Sequence, residues 1–187
     1  FVMAWCWFNA TESKPHNVNS NVKKNPMKKI LLILFLISNL TFGQTKGEIQ
    51  LDKNIVLIWE IQNFEVTKHT FEYCGKNELK YLCKIDKEEW FGSDNGIEFP
   101  KNELTKLNLK IGTQNYDLET SKMFNSNFSG YLSEHQFKLV TNENYQILYS
   151  FHSDGAGTYT AHWKIENGKA ERIILSTDEE YFEWQTD

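Results

Sequence analysis

Arginine is almost missing from this sequence. Arg172 is the one arginine among 187 residues. A bidentate clamp on a phosphate or carboxylate would have to use that residue, since only the flat guanidinium fork fits such groups in pairs. Long apolar runs are also missing. The longest are Phe1 to Phe8 and Ile30 to Ile37, eight residues each, whereas a membrane-spanning helix needs about 20. No catalytic or cofactor motif stands out, so no cofactor is expected.

The run from Ile30 to Ile37 nevertheless organises the chain. Lys28 and Lys29 follow Met27, the run comes next, and Thr41-Phe42-Gly43 places small residues three and one before a break. That is the pattern of a secretory signal peptide over 27–43, cut after Gly43. Ser38, Asn39 and Thr41 interrupt the run too early for an anchor. Gln44 stands where a lipoprotein would need cysteine, so no stable membrane anchor is expected after cleavage. Met27 is then the natural start, and residues 1–26 read as a non-native upstream extension without periodic pattern, expected to be disordered.

The mature chain, 44–187, is long enough for one domain with a proper core. It carries 15 basic against 24 acidic residues, a net charge of −9. Nucleic acid is a poor partner for such a surface. Lysine, asparagine and isoleucine are abundant where arginine is scarce, which reads as the codon bias of an AT-rich bacterial genome. The mature chain has two cysteines, Cys74 and Cys83. In an oxidising compartment such a pair is expected to be bridged, although a tight hairpin about Gly75-Lys-Asn-Glu78 would pair Cys74 with Leu79. Two cysteines nine apart without a nearby histidine pair do not make a zinc pattern.

Most of the mature chain alternates as strands do. Residues 48–62 contain the buried-strand run Ile55-Val-Leu-Ile-Trp59, and 66–74 and 79–85 read as two strands of a hairpin. Asp86 to Asn102 reads as loop. Its acidic residues lack the alternate-position order of a calcium loop. Leu107, Leu109 and Ile111 mark a half-buried strand that returns through Gly112. Residues 119–135 have no period, and a long irregular loop in a compact domain is often functional.

Residues 136–175 read as a four-strand antiparallel meander. Phe137 and Leu139 lie on one face, followed by Tyr145, Ile147, Tyr149 and Phe151, then Tyr159, Ala161, Trp163 and Ile165. To keep these together, Leu139 should pair with Ile147, and an odd loop about Gly155 should pair Ile147 with Trp163. Asn167-Gly168 predicts a two-residue type I′ turn pairing Lys164 with Glu171. One aromatic face requires a second layer, so the fold class expected is all-β, a small sandwich or barrel. The acidic tail after Ser176 suits either a short helix or an edge strand.

The chemistry-bearing residues cluster late. On this register His152 and His162 share the polar face, and Asp154 stands at the loop mouth. Two histidines and a carboxylate suit a metal or acid–base site, although about two pleats (~7 Å) separate the histidines. Ser153 has no nucleophile elbow around it. His69 is too distant in sequence to place. Gly155 and Gly157 allow a tight loop with positive φ, presenting Ser153, Asp154, Gly155, Gly157 and Tyr159 as a contact tip. The aromatic face is read as core before sugar platform.

This Ser153-Asp-Gly-Ala-Gly-Thr-Tyr159 loop is similar to the small-residue loops of periplasmic lysozyme inhibitors. The similarity covers seven residues, too few to assign a family. The function expected is a non-enzymatic secreted or periplasmic binding module, a monomer, for a protein or glycan partner. A narrower form is an inhibitor or immunity protein acting through 153–159. The rivals are a small metal-dependent hydrolase using His152, Asp154 and His162, and a structural component of the envelope.

Overall fold

A computed structural model of the chain describes residues 44–77, 80–93, 96–127, 129–153 and 155–185. The expected signal peptide, the upstream segment 1–26 and Asp154 lie outside those residues. Strands β1 (Thr45–Asp52) and β2 (Ile55–Asn63) come first. A small unit follows, with β3 (Phe71–Cys74), β4 (Tyr81–Ile85) and β5 (Glu88–Glu89). Then come β6 (Asn102–Ile111), β7 (Gln114–Leu118), β8 (Phe137–Thr141), β9 (Gln146–His152), β10 (Tyr159–Glu166) and β11 (Lys169–Ser176).

The strands build two four-stranded antiparallel sheets, ordered β1-β2-β6-β7 and β11-β10-β9-β8, with β3-β4-β5 as a third. Leu57, Trp59, Ile61, Leu107 and Leu109 of the first sheet share one core with Leu148, Tyr159, Ala161, Trp163 and Ile165 of the second. At the sides β1 lies beside β8 and β7 beside β11, so the sandwich is close to a flattened barrel. The expected all-β architecture and C-terminal meander are present.

The expected buried strand at Ile55–Trp59 lies in β2, and the residues before it form β1, its hairpin partner. Asp52 and Ile55 are cross-strand partners around Lys53-Asn54, and the Asp52 carboxylate accepts from the Lys53 amide (2.6 Å). Gly47 faces Trp59 across this hairpin, and a Cβ there would stand 2.7 Å from the indole. Only glycine lets the ring lie flat on the neighbouring strand.

The register at β10–β11 is the expected one. Lys164 pairs with Glu171 and Trp163 with Arg172, around Asn167 (φ 52°) and Gly168 (φ 76°) in the left-handed region that a type I′ turn requires. The registers of β9 differ from expectation. Leu139 pairs with Leu148, not Ile147, and Trp163 also pairs with Leu148. The loop 153–158 has six residues, so the odd-loop expectation is corrected. Leu148, Ser150 and His152 face inward, each fully buried, while Ile147, Tyr149 and Phe151 face out.

Two features make this register stable. Leu148 is fully buried, which contributes ~1.5–3 kcal/mol, and the polar Ser150 and His152 hydrogen-bond each other (2.8 Å). Outside, Tyr149 and Phe151 are covered by the tail. Residues Glu179–Gln185 form 3-10 turns, the helical alternative, and Trp184 packs against both rings at 5.7 and 6.2 Å. Lys138 donates to the Trp184 carbonyl (3.1 Å). Covered on both faces, β10 is buried at Tyr159, Thr160, Ala161, His162 and Trp163 alike.

Candidate binding cleft

The small sheet is inserted between β2 and β6. Its inner residues Leu82 and Ile85 pack with Phe124, Phe64, Phe71 and Trp90. Cys74 pairs with Tyr81 in the β3–β4 ladder, and a bulge leaves Cys83 as the extra residue. The bulge brings the two cysteines within reach across the ladder, and Cys74–Cys83 is a disulfide with a Cα separation of 5.7 Å. The simple hairpin register, Cys74 opposite Leu79, is thereby replaced.

Between this sheet and the Gly155 loop lies a cleft of about 440 Å³. Tyr81, Trp90, Phe91 and Glu89 line one side, Ala156 and Gly157 the other. Its walls are held by backbone hydrogen bonds. Leu82 donates to the Gly96 carbonyl and Gly92 to the Gly157 carbonyl (3.0 Å). The Trp90 indole donates to Leu82 (2.8 Å), and Gly96 donates to the Ser93 hydroxyl (2.8 Å). Tyr81 in the cleft wall is exposed, and so are Tyr73, Ile97 and Phe99 in the same stretch of chain, Ile97 by 69%.

The loop expected to be a contact tip is only partly one. Gly155 and Ala156 are exposed, but Gly157 is buried against Ser93. The Tyr159 ring is wholly buried, with its hydroxyl donating to the Phe124 carbonyl (3.0 Å). Burial pushes that phenol well above its ordinary pKa. Ser153 has φ 67°, and its amide donates to the Ser126 carbonyl (3.2 Å).

The expected shared face of His152 and His162 is corrected by the register. His152 pairs with Tyr159 and His162 with Tyr149 across a six-residue loop, which turns the two rings to opposite faces of the sheet. His152 is in the core, and burial pushes its pKa down to about 3. The Ser126 carbonyl favours its proton, yet Nδ1 has no partner in hydrogen-bonding geometry. The Ser150–His152 pair is buried from solvent and braces the core. His162 lies beneath the tail. Its Nε2 is 3.1 Å from the Tyr181 carbonyl, an acceptor only, so Nε2 carries the proton. Burial lowers its pKa as well.

His69 belongs to a third place. Its Nδ1 donates to Asp86 (2.7 Å), and its ring stacks on Phe64 at 4.5 Å. Its Nε2 faces Glu103 at 3.7 Å. Asp86, which also accepts from the Thr70 amide, is held below the usual carboxylate pKa by His69 first and Thr70 second. Among the described residues no group of three His, Cys, Asp or Glu side chains is placed to hold a metal ion.

Arg172 is committed to the fold. Its guanidinium donates to the Ser121 carbonyl (2.6 Å) and to the Glu119 carboxylate (2.8 Å), anchoring the loop that leaves β7. A neighbouring cavity gathers Lys84, Lys87, Lys122 and Arg172, but three of these pair with Glu72, Glu88 and Glu119.

No family model, no curated protein and no solved structure matches this chain.

The cleft aromatics Tyr81, Trp90 and Phe91 were not legible as site residues in the sequence. The available signal was Trp90-Phe-Gly-Ser-Asp-Asn-Gly96, aromatics running into a turn. Nothing in that stretch tells that a loop sixty residues later closes over it.

Proposed function

We propose that this protein is a non-enzymatic binding module, secreted or periplasmic in a bacterium, that engages a protein partner through the cleft between the small sheet and the Gly155 loop. The observation that carries this reading is the aromatic lining of the cleft, Tyr81, Trp90 and Phe91, with Tyr81 exposed; Tyr73, Ile97 and Phe99, exposed in the same stretch of chain, add apolar surface. A glycan would suit aromatic faces too, but Ile97 offers a sugar no stacking surface. The inhibitor form would use Gly155 and Ala156, the exposed part of 153–159.

Export is supported by the leader pattern at 27–43 and by the disulfide. Among the described residues no helix is long and apolar enough to cross a membrane. N-terminal sequencing after expression from Met27 checks it. A mature start at Gln44 is expected, and an intact leader on all of the protein refutes export.

Partner binding is tested by placing a photo-crosslinking phenylalanine at position 81, with position 110 on the far sheet as control. A discrete adduct from position 81 alone, identified by mass spectrometry as one protein, is expected. Adducts of equal yield from both positions, or none from either, would overturn the cleft as the binding site.

A further inference from the structure

We propose that residues 177–185 form a releasable strap, latched on His162 of β10 and opened by acid, that uncovers the outer Tyr149–Phe151 face of the second sheet.

The strap lies on the sheet without joining it. Among the described residues it pairs with no strand, and none of Glu179–Gln185 is fully buried. Two side chains of the sheet hold it by its backbone carbonyls. His162 Nε2–H donates to the Tyr181 carbonyl (3.1 Å) and the Lys138 ammonium to the Trp184 carbonyl (3.1 Å). The Trp184 ring lies on Tyr149 and Phe151. Its indole nitrogen is buried there with no acceptor among the described residues. A donor stripped of water and left unpaired weakens the closed arrangement, and lifting the strap returns that donor to water. Elements held by so few buried contacts are the ones that open locally. The Ser176 hydroxyl accepts from the Asp178 amide (3.0 Å), which fixes where the strap leaves β11, next to the exposed Thr177.

His162 is the part of the latch that titrates near neutrality. The neutral ring suits the closed state, because one N–H, on Nε2, makes the bond to Tyr181. Its neighbours come from every side. On β9 and the strap the rings of Tyr149 and Tyr181 pack against it at 4.6 and 6.1 Å. On β11 the uncharged Ile174 stands opposite, with Glu171 further along beside Lys164. Lys164 pairs with Glu166 (3.0 Å), and Lys138 of β8 is spent on the strap. The strap's own acids are Asp178, Glu179, Glu180 and Glu183. Burial acts most strongly on the ring and lowers its pKa, against the smaller opposing pull of the Tyr181 carbonyl. Opening returns the ring to water and to its ordinary 6.5. The open form therefore takes up the proton first. Closure is fully supported above about pH 6.5 and weakens as pH falls below it, the open-to-closed ratio growing by at most about tenfold per pH unit.

The test follows Trp184 by 19F NMR in protein expressed from Met27 with 5-fluorotryptophan, Trp184→Phe assigning its signal. Between pH 7.5 and 5.0 the Trp184 signal is expected to move toward its position in urea, while Trp163 in the core stays in place. His162→Gln can still donate an N–H to the Tyr181 carbonyl but takes up no proton, so its Trp184 signal should hold still. A Trp184 signal that does not move in the unaltered protein, or that moves equally in His162→Gln, overturns the proposal. The His162 ring gives a second reading that does not depend on that variant. Its titration midpoint, read by 1H–13C NMR, should lie below 6.5 in the unaltered protein and rise toward 6.5 in Trp184→Ala, where the strap loses its anchor. Equal midpoints in the two proteins also overturn it.

Discussion

Gly157 rests directly on the backbone of Ser93: a Cβ at position 157 would stand 2.5 Å from the Ser93 nitrogen. This contact joins the Gly155 loop to the small sheet and shapes one wall of the cleft. Backbone cannot step aside as a flexible side chain can. Gly157→Ala is therefore expected to cost about 1–3 kcal/mol and to perturb the Trp90 environment. Gly155, exposed with φ 57°, should accept asparagine with little change, since asparagine tolerates the left-handed region. Urea denaturation with Trp fluorescence compares the two. Equal losses would mean the Gly157 contact is not specific.

The buried His152 sets an acid limit. Its folded pKa, about 3, lies below the ordinary 6.5, so the unfolded chain takes up the proton first. This contribution is complete above about pH 6.5 and is lost as pH falls toward 3. The slope from this one group is at most about 1.4 kcal/mol per pH unit. Unfolding free energy from urea titrations at pH 4, 5, 6 and 7 should rise with pH, and more shallowly in His152→Gln. Parallel curves for the two proteins would show that the ring is not held neutral.

The Arg172 clamp makes a prediction about shape as much as charge. Lysine keeps the charge but cannot reach the Ser121 carbonyl and the Glu119 carboxylate with a fork. Arg172→Lys should lose about 1.5–3 kcal/mol, and hydrogen exchange should rise first at Glu119 to Lys122. Exchange rising evenly across the sandwich would argue against a local clamp.

Opening the Cys74–Cys83 bridge should act on the small sheet. Replacing both cysteines with serine is expected to cost ~2–3 kcal/mol. The β3–β4 amides should lose exchange protection while β6 and β10, in the main sandwich, keep theirs. Loss of protection in all strands together would mean that the small sheet and the sandwich unfold as one.

The sequence by itself determined the strand-rich class, the Asn167-Gly168 turn and the final hairpin register. Each rests on local chemistry: alternating side chains, two positive-φ residues, a pair of opposite charges two steps from a tight turn. The bridge of Cys74 with Cys83 was also legible, because Cys6 lies ahead of the expected leader and the two cysteines after it have one pairing available.

Only the tertiary structure decided which way β9 faces. Tyr149 and Phe151 look like core by composition, and Ser150 and His152 look like surface. The order is reversed because Trp184 supplies an outer cover and because Ser150 and His152 satisfy each other inside. Alternation reports that two faces differ, not which face meets the larger core when both are covered. The same reversal separated His152 from His162. The cleft was hidden for a related reason: Glu89, Tyr81 and Gly157 come from three segments, joined by a disulfide-held sheet and a loop whose six-residue length depends on contacts with Ser126 and Gly92. Such long-range contacts are set by packing, which no local pattern records.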